Sequence, residues 1–395
     1  FIERFNEVND FINKQNTYNK ETKESGVLFG DSTLQMMQNS LRSVLSSRVS
    51  GLQGKYTSLL AVGIHTTASG TLEIVNSGRL ETALNENLGE VIRLFTSSGS
   101  SSSNFIEFVS STTTTKPGKD YVVDITQAAT GGRLQGSGIA DPAVTPLTLS
   151  SSSNRLKLVV DGLTSNEIVL TEKTYTSTDQ LVQEIQGKID ADAGIGGRGL
   201  TVTWVDSGSG MGYLNFTSST YGSSSKVQAV TSIANNAYGV LGLAAGASLA
   251  GTDVAGTING EAAEGRGQFL TGKDGNRTTA GLKLRVTLDP SQVGDGSEGT
   301  ISVTKGLAAR MADVVGSFTK VKDGLFDRKT AAVQNQVSTL QERIDDFEER
   351  LTMRRDSLLK KFYAMESALG QLNAQSQYLT NQLAGISSNW LSNKR

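Results

Sequence analysis

The chain has no cysteine. That excludes disulfides, thiol nucleophiles and cysteine-ligated metal sites together, and it leaves the compartment open. There is one histidine, His65. One imidazole cannot build a multi-histidine metal site, and no serine or carboxylate spacing beside it suggests a triad, so His65 reads as an ordinary strand or loop residue. Charge of neither sign dominates: 37 Lys and Arg stand against 39 Asp and Glu, for a net −2. Composition therefore gives no pull toward nucleic acid or an anionic membrane. No apolar run approaches the length of a membrane span. No secretory signal is visible, because Phe1 already sits in a periodic segment. Gly194-Ile195-Gly196-Gly197 has no Lys-Ser/Thr ending for a phosphate loop and reads as a turn after Asp190 and Asp192. Asp289, Asp295 and Glu298 lack calcium-loop spacing and read as a solvated hairpin tip. These absences together argue against an enzyme and imply no cofactor or metal.

What is present begins with size and texture. The chain has 395 residues, enough for two or three domains, with 37% hydrophobic and 19% charged residues, which is a globular composition. Its 43 glycines, with many Ser and Thr, point to numerous turns and β structure. All four prolines, Pro117, Pro142, Pro146 and Pro290, lie in the middle of the chain.

The longest uninterrupted periodic stretch is 331–386, whose only glycines are Gly370 and Gly385. Val333, Val337, Leu340, Ile344, Phe347 and Leu351 alternate in steps of four and three, the a/d seam of a coiled coil. The pattern resumes at Leu358, Phe362, Met365, Leu369 and Leu372, and continues through Ser376, Leu379, Leu383 and Ile386. Arg354 stands between the halves, followed by two consecutive steps of four, a stutter that locally unwinds a left-handed supercoil. Arg354 has two readings: a long stem snorkelling from an unwound seam, or a polar device that fixes register or partner. Asp346 with Arg350, and Asp356 with Lys360, sit at i,i+4 and are expected to give modest helix support. A helix of about 80 Å cannot bury such a stripe inside a compact domain, so it needs partner helices.

At the other end, Phe1, Phe5, Val8 and Ile12 step by four and three, predicting a short amphipathic helix that is a natural partner for the long one. Polar residues then dominate to Ser25. A second helix is predicted after Gly30, with Asp31 or Ser32 as N-cap, Gln35 completing a capping box, and a stripe of Leu34, Met37, Leu41, Val44 and Leu45. Ser69-Gly70 reads as a turn between short strands, and 80–95 as one or two short helices. Residues 97–103 are nearly all Ser and read as a linker.

From there to about 304 the reading is mostly β. Strands are expected at 105–110 and 121–126, in a hairpin of 156–160 with 167–170 that turns at Asp161-Gly162, and in a pair at 200–205 and 213–218. A helix capped by Ser177 runs to about Ile189. Leu282, Leu284, Val286 and Leu288 alternate with wetter residues and are expected to pair with 300–304. Helical pattern returns with Leu307, Met311, Val314, Val315, Phe318 and Val321, ended by Asp323-Gly324. The fold class is thus α+β: a long helical coiled-coil or bundle leg built from 1–96 and 305–395, carrying an inserted β-rich head or outer region at 104–304, itself one or two small domains.

The order of particular segments goes further. FIERFNEVNDFI at 1–12 and GDSTLQMMQNSLRSVL at 30–45 are followed by Val62-Gly63-Ile64, Gly70-Thr71-Leu72-Glu73-Ile74 and 80–95. The chain closes with Phe362-Tyr363-Ala364-Met365-Glu366, 369–372 and Gln375-Ser376-Gln377-Tyr378-Leu379. Over 1–96 and 306–386 this series resembles the C-terminal half of FliD-type flagellar filament cap proteins, the second hook-associated proteins. Residues 156–243 look like small β domains inserted in flagellins and hook-associated proteins. Residues 253–267, with Gly256-Thr257-Ile258-Asn259-Gly260, resemble a strand segment of cap-protein heads.

The resemblance implies an extracellular, non-enzymatic assembly factor. It would form a homo-oligomeric ring at the flagellum tip, beneath which exported flagellin folds and inserts. It implies as partners flagellin, further copies of the chain and an export chaperone, with no nucleic acid and no membrane insertion. It also implies an N-terminal helix and a first head segment that lie outside these 395 residues. A flagellum-associated adhesin that binds glycan through the β region, or another hook–filament junction protein, is the alternative. On this reading Val333 to Leu351 packs within the leg and Leu358 to Ile386 runs toward the filament. Leu351→Asp is then expected to unfold the leg and Leu379→Asp to impair assembly.

Overall fold

The computed structural model describes residues 1–18, 20–21, 23–294 and 296–392. The chain divides into two units, Phe1–Val315 and Gly316–Arg395.

The first unit opens on helix α1, Ile2–Asn16, and helix α2, Ser32–Ser46. Asp31 is the N-cap of α2: its carboxylate accepts from the Thr33 and Leu34 amides at 2.8 and 3.1 Å, which places Leu34 rather than Gln35 at the capping-box position. The predicted stripe Leu34, Met37, Leu41, Val44 and Leu45 is buried throughout. On α1 the buried positions are Phe5, Asn9 and Ile12. Asn6 on the same helix exchanges two hydrogen bonds with the Leu72 backbone, at 3.0 and 2.7 Å. That docks α1 against a two-stranded hairpin, Ile64–Thr66 with Leu72–Ile74, turning through Gly70 at φ +85°. Helices α3, Ser77–Glu86, capped by Asn76, and α4, Leu88–Phe95, follow.

The serine run expected to be a linker is a strand. Ser98–Ser101 pairs antiparallel with Ser297–Thr304, and a Cβ at Gly99 would lie 2.6 Å from Phe108. Composition alone misses this because backbone pairing to a distant partner, not side-chain propensity, orders an edge strand. Ser98–Ser101 is one end of an eight-stranded antiparallel sheet, and Ile106–Ser110 is the other. The two ends are consecutive in sequence, and the sheet curls around a core of Val123, Ile125, Ile258, Leu284 and Ile301. The expected pairing of 282–288 with 300–304 does not form. Lys283–Val286 lies between Phe269–Gly272 and Ile106–Ser110, and Ser297–Thr304 lies beside Gly118–Gln127. Sequence proximity suggested a hairpin, but Asp289 and Gln292 close a reciprocal cap around a 3-10 turn at Pro290–Gln292, and the chain crosses instead. Asp295 lies outside the described residues. Glu298 accepts from the Ile125 and Gly294 amides at 2.6 and 3.3 Å, so it is committed to backbone.

Ala255–Ile258 turns into Glu261–Arg266 through Asn259-Gly260, at φ +56° and +70°, the conformation that Asn-Gly adopts readily in a two-residue hairpin. Glu261 then accepts from the amides and hydroxyls of both Thr278 and Thr279, the hydroxyls at 2.7 Å each. Burial opposes its ionisation, but the Thr279 and Thr278 hydrogen bonds outweigh it and bring the carboxyl down to about 2. A free glutamate titrates near 4.3. The stabilisation is therefore full above that pH and disappears as pH falls toward the folded value. Glu261→Gln is expected to lose about 2 kcal/mol at neutral pH. In thermal melts between about pH 5 and about pH 2 the gap to the parent should close; a constant gap would show that the charge contributes nothing.

Residues 128–251 interrupt this sheet with a second body, packed around Tyr175, Phe216, Tyr238, Leu156 and Ile185. The predicted pair is present as Thr201–Gly208 with Met211–Tyr221, and the predicted helix as α5, Thr178–Asp190, capped by Ser177. Of the hairpin expected between 156–160 and 167–170, Ile168 pairs with Leu156, but the turn at Asp161-Gly162, both at positive φ, closes Leu158–Val160 on Leu163–Thr164 instead. The Gly194–197 turn is closed by protein: Asp192 accepts from the Gly194 and Ile195 amides, and a Cβ at Gly196 would meet the Asp190 carbonyl at 2.3 Å. Where the chain enters and leaves this body, Thr130 and Thr252 bond through backbone and hydroxyls. Asp253 accepts from Ser223 in the inserted body and from the Gly267 amide in the curled sheet; these bonds, Ser223's hydroxyl foremost, hold its carboxyl below the usual range.

The curled sheet returns the chain to helix α6, Leu307–Thr319. The Lys305 ammonium, its side chain only 4% exposed, donates to Asp313 at 2.7 Å and to the Thr113 carbonyl at 2.9 Å, pinning a sheet loop to α6. Val321, read as part of the α6 stripe, lies beyond the helix end at Thr319, in a turn where Lys322 and Asp323 take positive φ, and is exposed. In the second unit Phe318 packs on Phe326 with ring centroids 5.8 Å apart. Helix α7 follows, Leu325–Ser392, 68 residues without a break at Arg354, Gly370 or Gly385.

Candidate assembly interface

Helix α7 is about 100 Å long at 1.5 Å per residue. Ala, Leu, Gln, Glu and Arg supply strong helix propensity, but propensity alone sustains such a length weakly. Every residue from 331 to 387 is exposed. The a/d side chains are therefore in water: Leu340, Ile344, Phe347, Leu351, Leu358, Phe362, Met365, Leu369, Leu372, Leu379 and Leu383 are each 50% or more accessible. Burying one such side chain is worth about 1.5–3 kcal/mol, so covering this seam would be strongly favourable. Around the stutter, Leu351, Leu358, Leu359 and Phe362 form an apolar groove edged by Arg354 and Arg355.

The expected i,i+4 pairs are not closed. Asp356 instead pairs with its neighbour Arg355 at 3.1 Å, and Asp345 accepts from Gln341 at 3.0 Å. Long exposed side chains gain too little from such pairing to fix one geometry.

The predicted residues of the first unit divide. Phe5, Ile12, Leu34 and Leu41 are core, whereas Phe1 and Val8 are 49% and 46% exposed. Phe1 meets Phe95 edge-on at 5.2 Å. His65 is exposed and lies opposite Glu73 in the hairpin. Two features escaped the sequence reading. Val27, Leu28 and Phe29 form an exposed apolar turn between α1 and α2, with Tyr18 against Phe29; three consecutive apolar residues before Gly30 were the available signal. Leu88 and Ile92 leave an apolar strip on α4. Among the described residues no group of three His, Asp or Glu is placed to hold a metal ion, and no helix is long and apolar enough to cross a membrane.

A family model described as flagellar hook-associated protein 2 C-terminus matches residues 1–186 and 267–374. The B-type flagellar hook-associated protein 2 of Pseudomonas aeruginosa is 34% identical over 100 residues, which is 24% of this chain and 20% of that protein. The polar flagellar hook-associated protein 2 of Vibrio parahaemolyticus is 34% identical over 95 residues, 24% of this chain and 14% of that protein. The chain thus spans a fifth or less of the length of these curated relatives. Among solved structures, the flagellar cap protein FliD D1-D2-D3 domains from Escherichia coli align at 16% identity and a TM-score of 0.35, covering 77% of this chain and 75% of that one. The D2-D3 domains from the same organism align at 19% identity and 0.33, covering 54% and 100%.

Proposed function

The chain belongs to the flagellar hook-associated protein 2 C-terminus family, and from that premise we propose that it acts as a structural assembly factor of the flagellar filament cap. It works outside the cell at the filament tip and catalyses no covalent chemistry. Copies of the chain form a ring. Residues 1–96 and 305–395 make the leg, and 104–304 make the head or outer region. The legs reach the filament end, where exported flagellin folds and inserts; an export chaperone keeps the sticky C-terminal part soluble before secretion.

The observation that carries this reading is the α7 seam: some fifty residues of a/d periodicity with every side chain exposed. A seam of that length is unstable as a solvated surface and is suited to taking up partner helices. The leg-packing roles of Phe1, Phe5, Val8, Ile12, Leu34 and Leu41, and the assembly roles of the seam residues from Leu340 to Leu383, including Arg354, belong to the same proposal. Electron microscopy of the whole protein tests it. Ring-shaped particles with projecting legs are expected. A strictly monomeric whole protein whose loss leaves filament growth intact would overturn the reading.

A further inference from the structure

The inserted body has its own core and its own sheet. Its buried residues, Tyr175, Phe216 and Ile185 among them, and those of the curled sheet, Val123, Ile258 and Ile301 among them, share no member, and no strand belongs to both sheets. Strands Gly118–Gln127 and Ala255–Ile258 are antiparallel neighbours, and Gln127 pairs with Ala255. The inserted body therefore stands at the open end of a hairpin, on a neck of two connecting segments, 128–131 and 251–254. Among the described residues, every hydrogen bond between the two bodies runs through that neck. Thr130 and Thr252 close it: the Thr130 amide donates to the Thr252 carbonyl at 3.0 Å, and the Thr252 amide donates to the Thr130 hydroxyl at 3.0 Å. Around them the chain is bare backbone. A Cβ at Gly251 would lie 2.3 Å from the Thr130 carbonyl oxygen, and one at Gly222 would lie 2.9 Å from Gly267 Cα. Two bodies joined by so small and polar a contact are expected to move relative to one another unless something holds them.

One side chain does. Asp253 Oδ1 accepts from the Gly267 amide at 2.7 Å and from the Ser223 amide at 3.2 Å, and Oδ2 accepts from the Ser223 hydroxyl at 2.5 Å. Gly267 lies in the turn between Glu261–Arg266 and Phe269–Gly272 of the curled sheet, whereas Ser223 follows Met211–Tyr221 of the inserted body. A single carboxylate thus ties one turn of each body to the neck, through charge-assisted bonds that are stronger than neutral ones. We propose that Asp253 is an orientation clasp. Closed, it fixes the direction in which the inserted body projects from the curled sheet. Open, it lets that body swing as a rigid unit on the Thr130–Thr252 neck while both cores stay folded. The surfaces that part are the backbones of Gly222 and Gly267, which carry no side chains to unpack. The donors and acceptors of the clasp all lie within 223–267, and it stands independently of whether the protein caps filaments.

The absence of cysteine makes the test direct. Glu172→Cys in the inserted body and Asp274→Cys in the curled sheet, both at exposed positions, place one spin label on each body of the full chain. Pulsed electron paramagnetic resonance should give one narrow distance between them. With Asp253→Ala added, the distance distribution should at least roughly double in width, as expected of a released hinge. Near-UV circular dichroism should remain that of the parent, because both cores stay packed. If that variant does not fold, Ser223→Ala, which removes the Oδ2 bond and leaves the neck untouched, replaces it and should widen the distribution in the same way. A folded variant with the parent's narrow distance would overturn the proposal, and so would a parent distribution that is already broad. Loss of the near-UV signal together with the widening would also overturn it, since the bodies would then be unfolding rather than swinging.

Discussion

Leu379→Asp should abolish filament growth in a complementation assay while leaving the thermal melt of the isolated chain unchanged, and Leu351→Asp should behave the same way. The sequence suggested a division of labour, with Leu351 inside the leg and Leu379 at the filament. The structure places Leu351 at 66% and Leu379 at 59% exposure, so neither is core within the chain. On a solvated helix, Leu to Asp costs only the propensity difference, about 0.5 kcal/mol. In an assembled seam the new carboxylate must be desolvated, at several kcal/mol per ion, and the leucine's own burial is lost as well. The assembled state therefore loses far more than the free chain. A melting temperature several degrees lower for Leu351→Asp alone would restore the original division. Normal filaments with both variants would remove the seam from the assembly mechanism.

The largest loss of stability is expected at Tyr238. Its side chain is 2% exposed in the core of the inserted body. Its hydroxyl accepts from the Lys157 amide at 2.9 Å and lies 2.8 and 2.9 Å from the Lys157 and Val230 carbonyls. Burial raises its pKa despite the Lys157 hydrogen bond. The ring fills the centre while the hydroxyl pairs the Lys157 amide and meets the Val230 carbonyl and the Lys157 carbonyl, which also accepts from the Val230 amide at 2.8 Å. Tyr238→Ala should cost about 4 kcal/mol by cavity formation, and Tyr238→Phe about 2 kcal/mol by leaving the Lys157 amide unpaired. Denaturant titration of both variants measures this. Equal costs would mean that the hydroxyl network, not the ring, holds the body together, and a cost below about 1 kcal/mol for the alanine variant would show that the site collapses freely.

Legibility followed the range of the interactions. The α2 stripe, the Ser177 cap, the Asn259-Gly260 turn and the 201–221 hairpin are written in adjacent residues, and periodicity or turn chemistry reports them. Ser98–Ser101 is not, because its partner lies about two hundred positions away and serine carries no strand signal. The placement of Lys283–Val286 failed for a related reason. Alternation shows that a strand has one buried face but does not name its neighbour, and loop geometry around Asp289 sends the chain elsewhere. At the candidate interface the seam was fully legible, whereas the burial of Asn9 in place of Val8 was not: Asn6 and Asn9 reach hairpin backbone that only the fold brings near.

The sequence by itself determined the long helix, its a/d seam and the stutter at Arg354, since each is a property of residues spaced three or four apart on one cylinder. Only the tertiary structure decided that this seam is exposed along its whole length from 331 to 387, because burial depends on neighbours that spacing along one helix does not specify.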